Sequence, residues 1–336
     1  MRAWSIQGTF GLENLKVEER PDPAPGPGQA LVRVRACSLN YRDALMVRGL
    51  YNPRQPLPLV PLSDGAGEVA AVGEGVTRVR AGDRVAGCFV QDWIAGRLTK
   101  AAARTTLGGP ADGMLAELKV LPEHGLVRVP DHLSFVEAAT LPCAALTAWT
   151  ALVEEGNLRA GQTVLVLGTG GVSVFALQFG KLLGARVIAT SSSDARLARA
   201  RELGAAETIN YRAVPKWGHA ARDLAGGEGV DLVVEVGGAG TFEQSLAAVR
   251  PGGTIALIGN LAGAVADLNL LSILMRNVRV QGVLVGHREG FEAMNRAVAL
   301  HGLRPVVDRA FPFDEAPAAF EYFAGGDRFG KVCIEM

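Results

Sequence analysis

Gly168-Thr-Gly170-Gly171-Val-Ser173 holds three glycines at a spacing suited to phosphate chemistry. Glycine lets the backbone approach a pyrophosphate closely, and the free N–H groups at a helix N-terminus favour its negative charge. A glycine motif alone is weak, so its context decides. The apolar run Thr163 to Leu167 precedes it, a helical pattern from Val174 to Leu183 follows, and Arg186 to Thr190 reads as a second strand. Strand, glycine turn, helix and strand in that order make a dinucleotide-binding unit. Gly168, Gly170, Gly171 and Val172 are therefore expected at the pyrophosphate. Ser173 stands where the last glycine of the pattern would be.

The end of the second strand indicates which dinucleotide. An acidic residue there would hold a ribose 2′-hydroxyl. The chain has Ser191-Ser192-Ser193 instead, then Asp194 as a helix start and Arg196 one turn later. Hydroxyls and a guanidinium suit a 2′-phosphate, which a carboxylate would repel. Ser191, Ser192 and Arg196 point to NADP(H).

The other reactive side chains are scattered. Cysteines occur at 37, 88, 143 and 333, none in C-x-x-C spacing, and the five histidines form no metal motif. Such cysteines, with no signal sequence in view, suggest a reducing, cytoplasmic setting. Lys+Arg and Asp+Glu both total 34, which argues against nucleic acid or an anionic membrane as partner. The most apolar stretch, Phe135 to Val153, contains Glu137 and Pro142, so a buried helix is expected there and not a membrane span.

These residues need elements to position them, and 336 residues suggest two domains. Up to about residue 127 the chain reads as β. Val32, Val34 and Ala36 alternate with Arg33 and Arg35, and Gly67 to Val85 holds further short strands between glycine turns. Beyond that point strands and helices alternate. Asp231 to Val236, Thr254 to Ile258 and Val278 to Val285 are near-continuous apolar strands, as in a parallel sheet covered on both faces. The tail returns to mixed character, with helices Phe291 to Leu300 and Ala316 to Phe323 and a strand Lys331 to Glu335. The expected fold class is α/β: a Rossmann doubly wound parallel sheet over 128–286, plus a smaller β-barrel domain from 1–127 and 287–336.

This layout resembles the medium-chain dehydrogenase/reductase family across essentially the whole chain. Its anchors are Ala81-Gly-Asp-Arg-Val85, Leu141-Pro-Cys-Ala-Ala-Leu-Thr-Ala-Trp149, the glycine turn, Glu202-Leu-Gly-Ala205 and Gly330-Lys-Val332. The segment Ser38-Leu-Asn-Tyr-Arg-Asp-Ala-Leu45 is similar to the zinc-independent branch, which includes quinone oxidoreductases and 2-enoyl or haloacrylate reductases. The resemblance implies that the barrel is GroES-like. Zinc alcohol dehydrogenases of the family carry Cys and His ligands where Asn40 and Ser63 stand, and a third ligand, Cys, at Cys143. One possible ligand of three remains, so no metal is expected and Cys143 reads as a pocket wall beside the cofactor.

The resemblance also implies cofactor contacts. Tyr211 would lie near the adenosine phosphate and Thr147 near the nicotinamide, with Val236, Gly237, Gly259, Asn260 and Leu284 along the nicotinamide side. Lys331 reads equally as a cofactor contact or a surface charge. The chemistry implied is hydride transfer from NADPH to a conjugated small molecule, an enone, enoyl compound or quinone. Asn40, Tyr41, Arg42 and Asp43 would line the place of the lost metal. The amide and the phenol would be oxyanion donors, and Asp43 would orient Arg42 or the Ser63 region. An NADP-dependent alcohol dehydrogenase or carbonyl reductase is the alternative, and an NADPH-binding structural or sensory protein the second. A homodimer is expected, because Val278 to Val285 would otherwise leave an apolar sheet edge uncovered.

Overall fold

The computed structural model describes residues 1–336 and divides them into two units, Met1–Leu146 with Gly286–Met336, and Thr147–Val285. In the first unit, β1 (Arg2–Ile6) and β2 (Leu15–Glu19) form an antiparallel ribbon. The main sheet of this unit contains β3 (Gln29–Ser38), β4 (Asp64–Val72), β5 (Arg84–Gly87), β6 (Leu118–Pro122) and β7 (Leu126–Arg128). The tail supplies β14 (Val307–Pro312) and β15 (Lys331–Glu335). Strand order is β14-β15-β3-β4-β5-β7, with β6 also pairing β3. The alternation along β3 is realised: Val32 and Val34 are buried while Arg33 and Arg35 face water. Those valines pack with Val69, Leu115, Val332 and Ile334 in one core, so the tail strand is structurally central. This is the GroES-like barrel.

The second unit holds β8 (Thr163–Leu167), β9 (Arg186–Ser191), β10 (Glu207–Asn210), β11 (Val230–Glu235), β12 (Val249–Leu257) and β13 (Arg279–Gly282). Every pairing among them is parallel, in the order β10-β9-β8-β11-β12-β13. The chain winds outward from β8 to β10, then returns to β11 on the other side of β8. That reversal is the switch point at which doubly wound Rossmann sheets bind their ligands.

Two expectations are revised. The boundary lies at 146/147, not 127/128, because β7 pairs β5 through Val85↔Arg128 and so ties the following segment to the barrel. The apolar stretch from 135 to 153 is not one regular helix. Ser134 caps a single turn, Phe135–Ala138, and wide π-type turns at Leu141–Ala145 and Thr150–Glu154 flank Leu146–Trp149. Pro142 lacks the N–H that a regular helix would need. No helix is long and apolar enough to cross a membrane.

Candidate active site

In the second unit the predicted cofactor residues converge beyond the C-terminal ends of the strands. The turn after β8 carries Gly168 at φ 74°, a left-handed conformation that only glycine adopts without strain. Gly168 N–H donates to Thr190 Oγ1 at 3.2 Å, which ties the turn to β9. Gly170 is the N-cap of the helix Gly171–Leu182, and a Cβ added there would meet no protein atom within 4 Å. Val172 lies in the first turn of that helix. Ser173 explains how the third glycine is dispensed with. Its side chain turns inward and its hydroxyl donates to Leu167 O at 2.7 Å.

At the end of β9 the Arg196 guanidinium donates to Ser192 Oγ at 2.8 Å and to Ser191 Oγ at 3.4 Å. Tyr211 joins them through its N–H, which donates to Ser191 O at 3.0 Å. Asp194, which opens the following helix, accepts from Asn210 Nδ2 at 2.7 Å. Two hydroxyls and a guanidinium therefore cluster beyond one strand end, with the Tyr211 backbone tied to the same end.

On the other side of β8, an unforeseen residue shapes the turn that carries Val236 and Gly237. Buried Glu235 accepts from Gly237 N–H at 2.7 Å, Gly238 N–H at 3.0 Å and Thr241 Oγ1 at 2.6 Å, and also from Ser245 Oγ. Gly259 passes so close that a Cβ there would stand 2.4 Å from Val236 O. Asn260 and Leu284 are exposed beyond β12 and β13. Thr147 is buried at the start of the unit.

The first unit gathers a buried polar cluster around Asn40. Asp43 accepts from Asn40 N–H at 2.8 Å, and Asn40 O accepts from Asp43 N–H at 3.0 Å, which fixes the start of the helix Tyr41–Val47. Lys331 enters from β15, only 3% exposed, and donates to Leu39 O at 2.7 Å and Asn40 Oδ1 at 2.5 Å. Its ammonium lies 4.0 Å from Asp64 Oδ2. Asp64 also accepts from Ser63 Oγ at 2.7 Å and Cys143 N–H at 3.2 Å. Burial raises the Asp64 carboxyl above its usual range; Lys331, Asn40, Ser63 and the Cys143 N–H oppose it. Asp43 is pushed up to about 6, chiefly by burial, with Arg42 opposing.

Arg42 is placed differently from a substrate-facing donor. It donates to Leu107 O at 2.9 Å, Gly108 O at 3.3 Å and Gly109 O at 3.0 Å. The rings of Tyr51 and Phe89 lie 4.9 and 5.1 Å from its guanidinium carbon. Arg42 thus pins the long Gln91–Pro110 loop against the Tyr41–Pro58 segment. Tyr41 is 40% exposed on the first turn of its helix.

Zinc does not suit this cluster. The donors here are an amide, a hydroxyl, one thiol and the Asp64 carboxylate; a lysine ammonium already occupies the amide oxygen and stands 4.0 Å from that carboxylate. Burial, reinforced by Asp64, raises the Cys143 thiol well above its ordinary range. Tetrahedral zinc sites draw on thiolate, imidazole and carboxylate. No three His, Cys, Asp or Glu side chains stand together as a metal site.

Comparison with known proteins agrees with the fold. The chain matches the alcohol dehydrogenase GroES-like domain over residues 26–131 and the zinc-binding dehydrogenase model over 171–299. It is 44% identical to a zinc-type alcohol dehydrogenase-like protein of Schizosaccharomyces pombe, over 97% of this chain and 96% of that protein. It is 30% identical to an acryloyl-coenzyme A reductase of Metallosphaera sedula, over 99% of each. A solved NAD-dependent alcohol dehydrogenase superposes with a TM-score of 0.92 at 37% identity, covering 100% of both chains. The chain belongs to the medium-chain dehydrogenase/reductase family. It is an oxidoreductase of that family, whose members use nicotinamide cofactors.

Sequence reasoning named Asn40, the glycine turn and the Ser191–Ser192–Arg196 group but missed Asp64 and Glu235 and left Lys331 undecided. The one available signal was Gly330-Lys-Val332 as a family anchor. No spacing pairs Lys331 with a residue 291 positions away.

Proposed function

We propose that the chain is an NADPH-dependent, zinc-independent oxidoreductase that reduces a conjugated small molecule: an enone, an enoyl compound or a quinone. The observation that carries this reading is the Lys331–Asn40–Asp64 cluster, where the zinc enzymes of the family keep metal ligands. Without a Lewis acid, a simple ketone is poorly polarised. A conjugated acceptor delocalises incoming charge itself. The serines, Arg196 and Tyr211 support NADPH, since a 2′-phosphate would meet donors there and no unengaged carboxylate.

When bound, NADPH supplies a hydride to the electron-poor carbon of the acceptor. Negative charge then grows on the acceptor's oxygen, and preorganised donors lower the barrier by meeting it there. Asn40 Nδ2 and the Tyr41 hydroxyl are those donors. Arg42 and Asp43 hold the surrounding segments, and Cys143 gives its N–H to Asp64 and its side chain to the wall.

The dehydrogenase neighbours favour the second reading, an alcohol dehydrogenase or carbonyl reductase. NADPH consumption with a quinone, an enone and an aldehyde side by side separates the two: oxidation with the aldehyde alone would overturn the first. We also propose a cytoplasmic homodimer. All four cysteines are free. β13 ends the sheet, and Leu270, Leu271, Leu274, Met275 and Leu284 are exposed beside it, a combination that association with a second copy would cover.

A further inference from the structure

An asparagine amide can sit either way round, and only its partners decide which end is oxygen. At Asn40 the partners leave one choice. The Lys331 ammonium is a donor only, so the atom 2.5 Å from it is Oδ1, and Nδ2 faces the other way. Ser63 spends its own hydrogen on Asp64 Oδ1, so it meets Asn40 only as an acceptor, at a long 3.5 Å. Nδ2 carries two hydrogens; beyond this long contact the amide also favours the Asp64 carboxylate, but no close hydrogen bond holds either hydrogen, so Nδ2 can donate to a further oxygen.

The lysine is itself fixed. It is almost wholly buried, it is anchored on Leu39 O at 2.7 Å, and its charge is balanced by Asp64 at 4.0 Å. Such a pair is a costly way to stabilise a fold, because desolvating two charges offsets most of their attraction. It does hold an amide in one orientation.

We propose that Lys331, seated by Asp64, is a positioning residue that presents the Asn40 Nδ2 donor to the developing oxyanion of the substrate. The proposal rests on the functional reading above. Through Asn40, a fixed ammonium does at this site the electrostatic work that a metal does in the zinc enzymes. The positive charge never touches the substrate; it sets which atom does.

The test uses Lys331→Met and, because that variant leaves Asp64 buried without its counter-charge, the double variant Lys331→Met with Asp64→Asn. Steady-state reduction of an enone should lose kcat by about 100-fold, the scale of a misplaced catalytic group. KM and the NADPH dissociation constant should stay near parental values. In an Asn40→Ala background, Lys331→Met should cost nothing more, because its effect runs through that amide. Additive losses in kcat, or losses confined to KM and NADPH binding, would overturn the proposal. If the parent protein reduces no conjugated acceptor, the functional reading fails and the oxyanion role with it; the orienting role of Lys331 is then read by itself from the Asn40 side-chain NH2 signals in nuclear magnetic resonance of the double variant. Signals unmoved from their parental positions refute that role, and displaced signals uphold it.

Discussion

Arg196→Ala should separate the two nicotinamide cofactors. The guanidinium is already held by Ser192 Oγ at 2.8 Å and Ser191 Oγ at 3.4 Å, so little ordering is left to do when a phosphate arrives. A hydrogen bond to a charged group contributes about 1.5–3 kcal/mol. At 1.36 kcal/mol per tenfold, this is roughly 10- to 150-fold in affinity. The site is half-exposed and screened by salt, so the low end applies at physiological ionic strength and the full range at low salt. NADH lacks the phosphate and should bind the variant as it binds the parent. Fluorescence titration of both cofactors against both proteins, at two salt concentrations, reads this directly. Equal losses for NADPH and NADH would show that Arg196 shapes the turn and does not read the phosphate. An unchanged NADPH constant would remove the serine–arginine cluster from the binding site altogether.

Four further outcomes are expected. Gly170→Val should leave thermal stability within about 0.5 kcal/mol, since a Cβ there meets open space, yet weaken NADPH binding in titration. Dialysis against a chelator should leave activity intact, with well under one zinc per chain by elemental analysis; loss of activity restored by zinc would contradict the donor chemistry at Asn40. Light scattering should give about twice the 35.2 kDa chain mass, and Val280→Lys on the edge strand should shift it towards one chain. Asp43 has a folded pKa raised to about 6, so its stabilising contribution is complete below the unfolded value of about 4 and is lost as pH rises through 6. Asp43→Asn should therefore gain melting temperature relative to the parent as pH rises from 5 to 7.5; a pH-independent difference would show that the carboxyl does not titrate there.

How much was legible follows from how local each signal is. The glycine turn and the serines after β9 are each signals within a few residues, and the sequence pattern picked them out; the capping of Asn40 by Asp43 was not foreseen, since Asp43 was expected to orient Arg42 or the Ser63 region. Strand β15 was read with its true bounds, because Val332, Cys333 and Ile334 form a short apolar run between two charged residues. The content of Arg42 was not legible. A charged residue beside a candidate site reads as a donor to the substrate, and only the fold shows its two terminal nitrogens bonded to Leu107, Gly108 and Gly109. Glu235 at the end of an apolar strand gives no local hint that two backbone amides and two hydroxyls will surround it. The 135–153 stretch was misread in shape, because helical periodicity cannot distinguish regular turns from widened ones around Pro142.

The split of the barrel also fixes an order of events. The dinucleotide unit is one unbroken stretch, Thr147–Val285, whereas the barrel is interrupted by it. Contiguous domains fold as units, and widely separated contacts form late because their loops must first be closed. Folding of the inserted unit shortens the effective loop between the halves of the barrel. β15 can then add beside β3, aligning Cys333 with Ser38 and bringing Lys331 to Asn40. On the functional proposal above, a chain still waiting for that strand has its glycine turn formed but no ammonium against the Asn40 amide, so binding would precede turnover.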